Sequence, residues 1–281
     1  MTNFWARTIT GLSMVFILLA TMAINYWFFA AAFLLVTILG LWEFYSLLSS
    51  KSSHPQKIFG TVAGALIYIV ITLADFIPIF SDLPSHTHIP YLIFIVLFFL
   101  PFIFEIYRKK PHPMINVALT ITGIIYIAIP FALLNLLNGP DAYRVWHFPV
   151  ILVGFFLLTW LYDTGAYLYG KQFGKHKFFE RVSPKKTWEG IVAGTIIALA
   201  TAVGLNYLAP EIQLVDWFVM AILIAVFGTF GDLIESLFKR SLRIKDSGSI
   251  LPGHGGILDR FDAIFLSVPF VFLYLFLRNL I

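Results

Sequence analysis

Apolar residues gather along this chain into runs of about 20, the length that carries a helix across about 30 Å of hydrocarbon. Nine such runs stand out, at roughly 8–24, 26–48, 58–80, 89–107, 113–137, 148–169, 188–208, 215–237 and 257–279. Each predicts a membrane-spanning helix, so the pattern specifies an all-α, polytopic integral membrane bundle of about nine transmembrane helices. Only Ala23-Ile24-Asn25-Tyr26 separates the first two runs, yet together they are far too long for a single crossing. Arg7 ahead of an apolar stretch, with Ala30-Ala31-Ala32 behind it, has the outline of a signal peptide. The run far exceeds the apolar core of about 7–15 residues that such peptides carry, which predicts a retained helix.

Composition agrees with the pattern. Of 281 residues, 59% are hydrophobic and 12% are charged, the latter against about 25% in an average soluble domain. Mean hydropathy is +0.88, more apolar surface than a soluble core of this length can hide. Cysteine is absent, which excludes disulfides, thiolate chemistry and Cys-based zinc sites.

Charge placement orients the bundle. With the N-terminus in the cytoplasm, only Arg144 and Arg278 of the 19 Lys and Arg fall outside the inner segments. That asymmetry satisfies the positive-inside rule and predicts an N-in, C-out arrangement with an odd number of spans. Residues 1–147 carry few intramembrane charges and read as a scaffold of about five helices. Residues 148–281, about four helices, hold two polar clusters on the cytoplasmic side. Glu43 and Asp75 lie near helix ends in the first half, where they are expected to reach headgroups or water.

The first cluster runs from Asp163, within LTWLYDTGAYLYG, through Gly170, Lys171 and Gly174 to SPKKTWEG, Ser183 to Gly190. Pro184 marks a helix start with Ser183 or Thr187 as its cap. A helix N-terminus presents unsatisfied N–H groups and suits phosphate, and Lys185 and Lys186 add two ammonium groups. Lys175 and Lys177 read as anchors to lipid headgroups. Asp163 sits deep in an apolar run and is expected to meet a cation or metal.

The second cluster begins with Gly228, Gly231, Asp232, Glu235, Ser236 and Lys239, spaced so that Asp232, Glu235 or Ser236, and Lys239 share one helix face. The two glycines would allow close helix packing; the purely structural alternative is an Asp232–Lys239 or Glu235–Lys239 intrahelical pair at the interface, which suits Glu235 better than the more deeply placed Asp232. The cluster continues as SLFKRSLRIKDSGSILPGHGGILDRFD, Ser236 to Asp262. Charge at a bilayer boundary marks a functional site, and Gly248, Pro252, Gly253, Gly255 and Gly256 let the backbone turn tightly and approach a ligand. Asp259 and Asp262 open the last helix. Oxygen donors without cysteine point to a hard cation such as Mg²⁺, with phosphate oxygens completing its shell. His254, between two glycines, is a candidate ligand, phosphate donor or proton carrier.

This pattern of Ser236, Lys239-Arg240, Lys245-Asp246, Gly248, His254-Gly255-Gly256 and Asp259-Arg260-Phe261-Asp262 closely resembles the phosphatidate cytidylyltransferase (CDP-diacylglycerol synthase) family. Asp163, Gly170-Lys171 and SPKKTWEG are similar to that family's upstream elements. The resemblance covers roughly residues 155–281. It implies that CTP and phosphatidate give CDP-diacylglycerol and pyrophosphate with Mg²⁺, a second metal or a monovalent cation being compatible with it. It implies Asp232, Asp259 and Asp262 as metal ligands and Asp163, Lys186, Asp246 and His254 as catalytic residues. Ser183, Lys185, Ser236, Lys239, Arg240, Lys245 and Arg260 would bind substrate. It further implies a homodimer among membrane lipids in a bacterial inner membrane, its site facing the cytoplasm, and no nucleic-acid partner. Two other readings stay open from the residues alone: a transporter of an anionic solute, and a cytidylyltransferase for a different lipid phosphate.

Overall fold

The structure, a computed structural model, describes residues 3–49, 53–73, 89–139, 144–145, 148–248 and 255–281. Among them the chain forms α1 (Asn3–Ile24), α2 (Tyr26–Leu48), α3 (Lys57–Leu73), α4 (Ile89–Arg108), α5 (Pro113–Leu136), α6 (Val150–Phe173), α7 (Trp188–Leu208), α8 (Leu214–Ser241) and α9 (Leu258–Leu277). Each expected apolar run overlaps one of these helices, and residues 74–80 of the third run lie outside the described residues. Six of them, α2 and α5 to α9, are long and apolar enough to cross a bilayer. Large apolar side chains such as Leu35, Val62, Phe99, Ile196 and Leu273 are exposed, which in a helix bundle means a lipid-facing surface. The chain is a helical membrane protein.

Two helices contain a π-helical turn, Ile124–Ala128 in α5 and Ile224–Gly228 in α8. Pro130 follows the first of these; it has no N–H to give to the helix ladder, which favours such an irregularity. Two short hairpins complete the inventory of described elements: β1 (Arg144–Val145) pairs with β2 (Phe148–Pro149), and β3 (Lys177–Phe179) pairs with β4 (Ser183–Thr187), both antiparallel.

The contacts resolve two compact units. One comprises Met1–Thr21, Asn25–Leu136 and Asp246–Arg260; the other comprises Met22–Ile24, Leu137–Lys245 and Phe261–Ile281. The segment 246–260, which the sequence groups with residues 148–281, falls in the first unit by its contacts. There α2 packs along α3, and α3 along α5. Tyr45 is fully buried among them and donates to the Thr120 carbonyl at 2.6 Å. A Cβ at Gly60 or Gly123 would meet that phenol at 2.5 Å, so the two glycines are what admit the ring.

In the second unit α6 lies along α7, and α7 along α8. Gly170 and Gly190 face each other across the first pair: a Cβ on Gly190 would stand 3.1 Å from the Gly170 Cα and 2.6 Å from the Ala166 carbonyl oxygen. The helix α7 starts at Trp188, and Thr187 caps it by accepting from the Gly190 N–H at 3.2 Å. Of the two expected caps, Thr187 is therefore the one used. Ser183 lies in a strand instead, because Pro184 and its neighbours pair with β3 rather than entering the helix. Glu189 holds the hairpin down, accepting from the His176 backbone N–H at 3.1 Å and meeting its Nδ1 at 2.6 Å.

Candidate active site

Within the second unit, α6, the β3–β4 hairpin, α8 and α9 enclose a cavity of about 600 Å³. Asp163 opens onto it from α6, Lys185 and Lys186 from β4, Asp232 from α8 and Asp262 from α9. These are five of the residues singled out from the sequence, and Ser183 also lines the wall. Lys177, expected only as a headgroup anchor, lines it too; its pairing with Thr187 across the hairpin brings it there.

The cationic and anionic walls meet directly. Lys186 Nζ lies 2.7 Å from Asp232 Oδ2, and it donates to the Thr229 carbonyl at 3.3 Å. The Thr229 side chain is in turn 2.5 Å from the Tyr162 hydroxyl, so a polar thread runs from α6 through α8 to β4. Ser236 donates to Asp232 Oδ1 at 3.3 Å. Gly231 makes the approach of α9 possible, since a Cβ there would collide with the Asp262 carbonyl oxygen and stand 3.2 Å from the Ala263 Cα.

Asp232, Glu235 and Asp262 each place a carboxylate oxygen within 4.8 Å of the others. Like charges so close repel strongly unless cations intervene. Lys186 compensates one of them, and of the two possible partners for Lys239 it is Glu235, one helical turn away, that pairs with it. Three carboxylates against two ammonium groups leave a net negative, all-oxygen donor set, which fits a hard divalent cation. Glu235 is thus a member of the acidic group as well as half of an ion pair, which sequence spacing alone did not separate.

The remaining candidates are placed differently. Arg240 and Lys245 are exposed in the second unit, and neither lines the described cavity. Asp246 and Arg260 are exposed in the first unit. Asp259 also belongs to the first unit, where its Oδ2 accepts from the Ser247 N–H at 2.8 Å and the Gly256 N–H at 3.0 Å and lies 2.9 Å from the Ser247 hydroxyl oxygen. His254, Pro252, Gly253 and Asp75 lie outside the described residues. Glu43 corrects its expectation outright. It does not reach headgroups or water but is buried, 5% exposed, accepting from the Ser247 hydroxyl at 2.5 Å and from the Ile257 and Leu258 N–H groups at 2.9 and 3.1 Å. Gly248 and Gly256 close on this carboxylate rather than on open space.

Residues 5–278 match the sequence pattern that describes the Cytidylyltransferase family. The chain is similar to a protein of Staphylococcus aureus named phosphatidate cytidylyltransferase, at 34% identity over 177 residues, covering 62% of this chain and 65% of the relative, just under two thirds. Proteins of the same name align over more of their length. That of Staphylococcus haemolyticus is 30% identical over 84% of this chain and 85% of its own, and that of Haemophilus influenzae is 29% identical over 86% and 88%.

Proposed function

The chain belongs to the Cytidylyltransferase family, and from that premise we propose that it joins CTP to phosphatidate, giving CDP-diacylglycerol and pyrophosphate. The observation that carries this reading is the meeting of Lys186 with Asp232 at 2.7 Å beside the Asp232–Glu235–Asp262 group on one polar cavity. A phosphate monoester has a second pKa near 6, so phosphatidate is largely dianionic and already nucleophilic at neutral pH. Its oxygen attacks the α-phosphorus of CTP, and the bond to the β-phosphate oxygen breaks with its electron pair leaving on pyrophosphate. No strong general base is needed. The chain must align two anions that repel and neutralise the charge that collects on the leaving group. Lys177, Lys185 and Lys186 line one wall and serve that purpose.

Asp232, Glu235 and Asp262 would hold Mg²⁺, which supplies charge neutralisation and a template for phosphate oxygens. Asp163, facing the same cavity, and Asp259, on the first turn of α9, complete the acidic set in this proposal. Arg240, Lys245 and Arg260 would bind the polyphosphate in this proposal, and Asp246 and His254 would be further catalytic residues. CTP is water-soluble and phosphatidate lies in the leaflet, so the site would open at the cytoplasmic face of a bacterial inner membrane, as the concentration of Lys and Arg in the inner segments supports. A homodimer is part of the same proposal.

The test is purified protein in detergent with radiolabelled CTP, Mg²⁺ and phosphatidate. We expect label in an organic-extractable product with the mass of CDP-diacylglycerol, and one pyrophosphate released per lipid formed. Label that stays aqueous, or that enters only a different lipid phosphate, would overturn the assignment.

A further inference from the structure

We infer that Glu43, on a helix more than 200 residues away in sequence, is a positioning residue for the start of α9, and through it for the reaction; this rests on the function proposed above. A helix N-terminus leaves its first N–H groups without partners, and the residue before the helix usually supplies an oxygen to them. Before α9 that residue is Ile257, which has none. Glu43 takes over the task from α2, accepting from the N–H of Ile257 at 2.9 Å and of Leu258 at 3.1 Å. A carboxylate at this place also sits at the positive end of the helix dipole, which favours it there.

The same carboxylate grips both sides of the glycine-rich segment. On one side it accepts from the Ser247 hydroxyl at 2.5 Å; on the other it meets the two amides of α9. A Cβ on Gly248 would stand 2.9 Å from Glu43 Oε2, and one on Gly256 would collide with Oε1. One turn earlier on α2, a Cβ on Gly40 would come 3.4 Å from Ile257 Cγ2, so the helix passes close to the start of α9. Ser247 then passes the constraint on: its hydroxyl is 2.9 Å and its N–H 2.8 Å from Asp259 Oδ2, which also holds the Gly256 N–H. Gly255, with φ +81°, turns the chain so that this is possible, and any Cβ there would strike the Asp259 carboxylate. Glu43 therefore sets the rotamer of Asp259 and the first turn of the helix that also carries Asp262.

The experiment compares wild type with Glu43→Gln, Glu43→Asp and Glu43→Ala in full-length protein. It measures kcat, the KM for CTP, thermal unfolding and amide exchange of the peptide covering 255–262. A shift of about 1 Å in a catalytic group costs about a hundredfold in rate. We expect Glu43→Ala to lose about that much in kcat and Glu43→Gln about tenfold, with the CTP KM within about threefold of wild type and amide exchange at Gly256 to Leu258 accelerated. Glu43→Asp should recover part of the Glu43→Ala loss. Asp216→Asn is the control for stability alone: Asp216 is buried and pairs with Arg278 at 2.8 Å, remote in sequence from these contacts. It should lower the unfolding temperature and leave kcat per folded molecule unchanged. If Glu43→Ala does not accumulate, Glu43→Gln decides. Glu43 variants that keep wild-type kcat, or wild-type exchange at 256–258, overturn the inference while the proposed reaction stands. A wild type that makes no lipid product overturns the reaction and this inference together.

Discussion

Replacing Asp232 by Asn separates what this carboxylate does for stability from what it does for chemistry. Its partner Lys186 is 2.7 Å away, and the two side chains are 23% and 35% exposed. A pair so open to solvent contributes only about 0–1 kcal/mol to folding. Converted at about 2–4 °C per kcal/mol, the unfolding temperature should move by no more than about 4 °C. The chemical cost is of another order. Removing one preorganised electrostatic group from a site where charge develops typically costs about 10²–10³ in kcat, or about 2.7–4 kcal/mol of barrier. Asp232→Asn keeps the shape of the side chain and the acceptor for Ser236, but it deletes one charge from the acidic trio. The assay is incorporation of labelled CTP into lipid, normalised to protein that still unfolds cooperatively in detergent. A kcat within about threefold of wild type would refute the reasoning, as would a fall in unfolding temperature large enough to explain the lost activity.

Three further outcomes follow from the geometry. Lys239→Met strips the cation from Glu235, whose side chain is 4% exposed, and an uncompensated buried charge costs about 3–5 kcal/mol. Thermal unfolding should show a large loss for that variant and recovery of most of it when Glu235→Gln is added; equal losses in the single and double variants would contradict the pairing. Gly231→Ala introduces a Cβ against the Asp262 carbonyl oxygen and 3.2 Å from the Ala263 Cα, so it should cost about 1–3 kcal/mol by overpacking. It should also lower kcat, because α9 must shift while carrying Asp262; a variant with wild-type rate would show that this close approach is not needed. Tyr45→Phe removes the 2.6 Å bond to the Thr120 carbonyl and should cost about 1 kcal/mol in unfolding, with turnover per folded molecule unchanged in the same lipid assay.

Periodicity and run length made the helices legible, because a bilayer demands the same apolar length each time and leaves every backbone group to be satisfied within the helix. The cavity was legible where polar residues interrupt those runs, as at Asp163, Asp232 and Asp262. What escaped was anything decided by partners distant in sequence. Lys177 looked like a headgroup anchor because nothing in its neighbourhood reveals the hairpin register that turns it onto the cavity. Ser183 and Pro184 looked like a helix start because that dipeptide is common at both helix caps and strand turns. Glu43 looked interfacial because it sits near the end of an apolar run; only the fold brings to it Ser247 and the unsatisfied amides of α9. Ile257 offered the one available clue, a helix start with no capping side chain of its own. Glu235 was visible as a partner for Lys239, yet its proximity to Asp262 depends on how closely Gly231 lets α9 approach.

The central claim is that the carboxylates of α8 and α9 form one divalent-cation site. Titrating the purified protein with Mn²⁺ as a stand-in for Mg²⁺, and following free ion by electron paramagnetic resonance, tests it most directly. Wild type should show saturable binding, and Asp262→Asn and Glu235→Gln should each weaken it by at least about tenfold, whereas Lys185→Ala should not. Identical titration curves for wild type and both carboxylate variants would contradict the account.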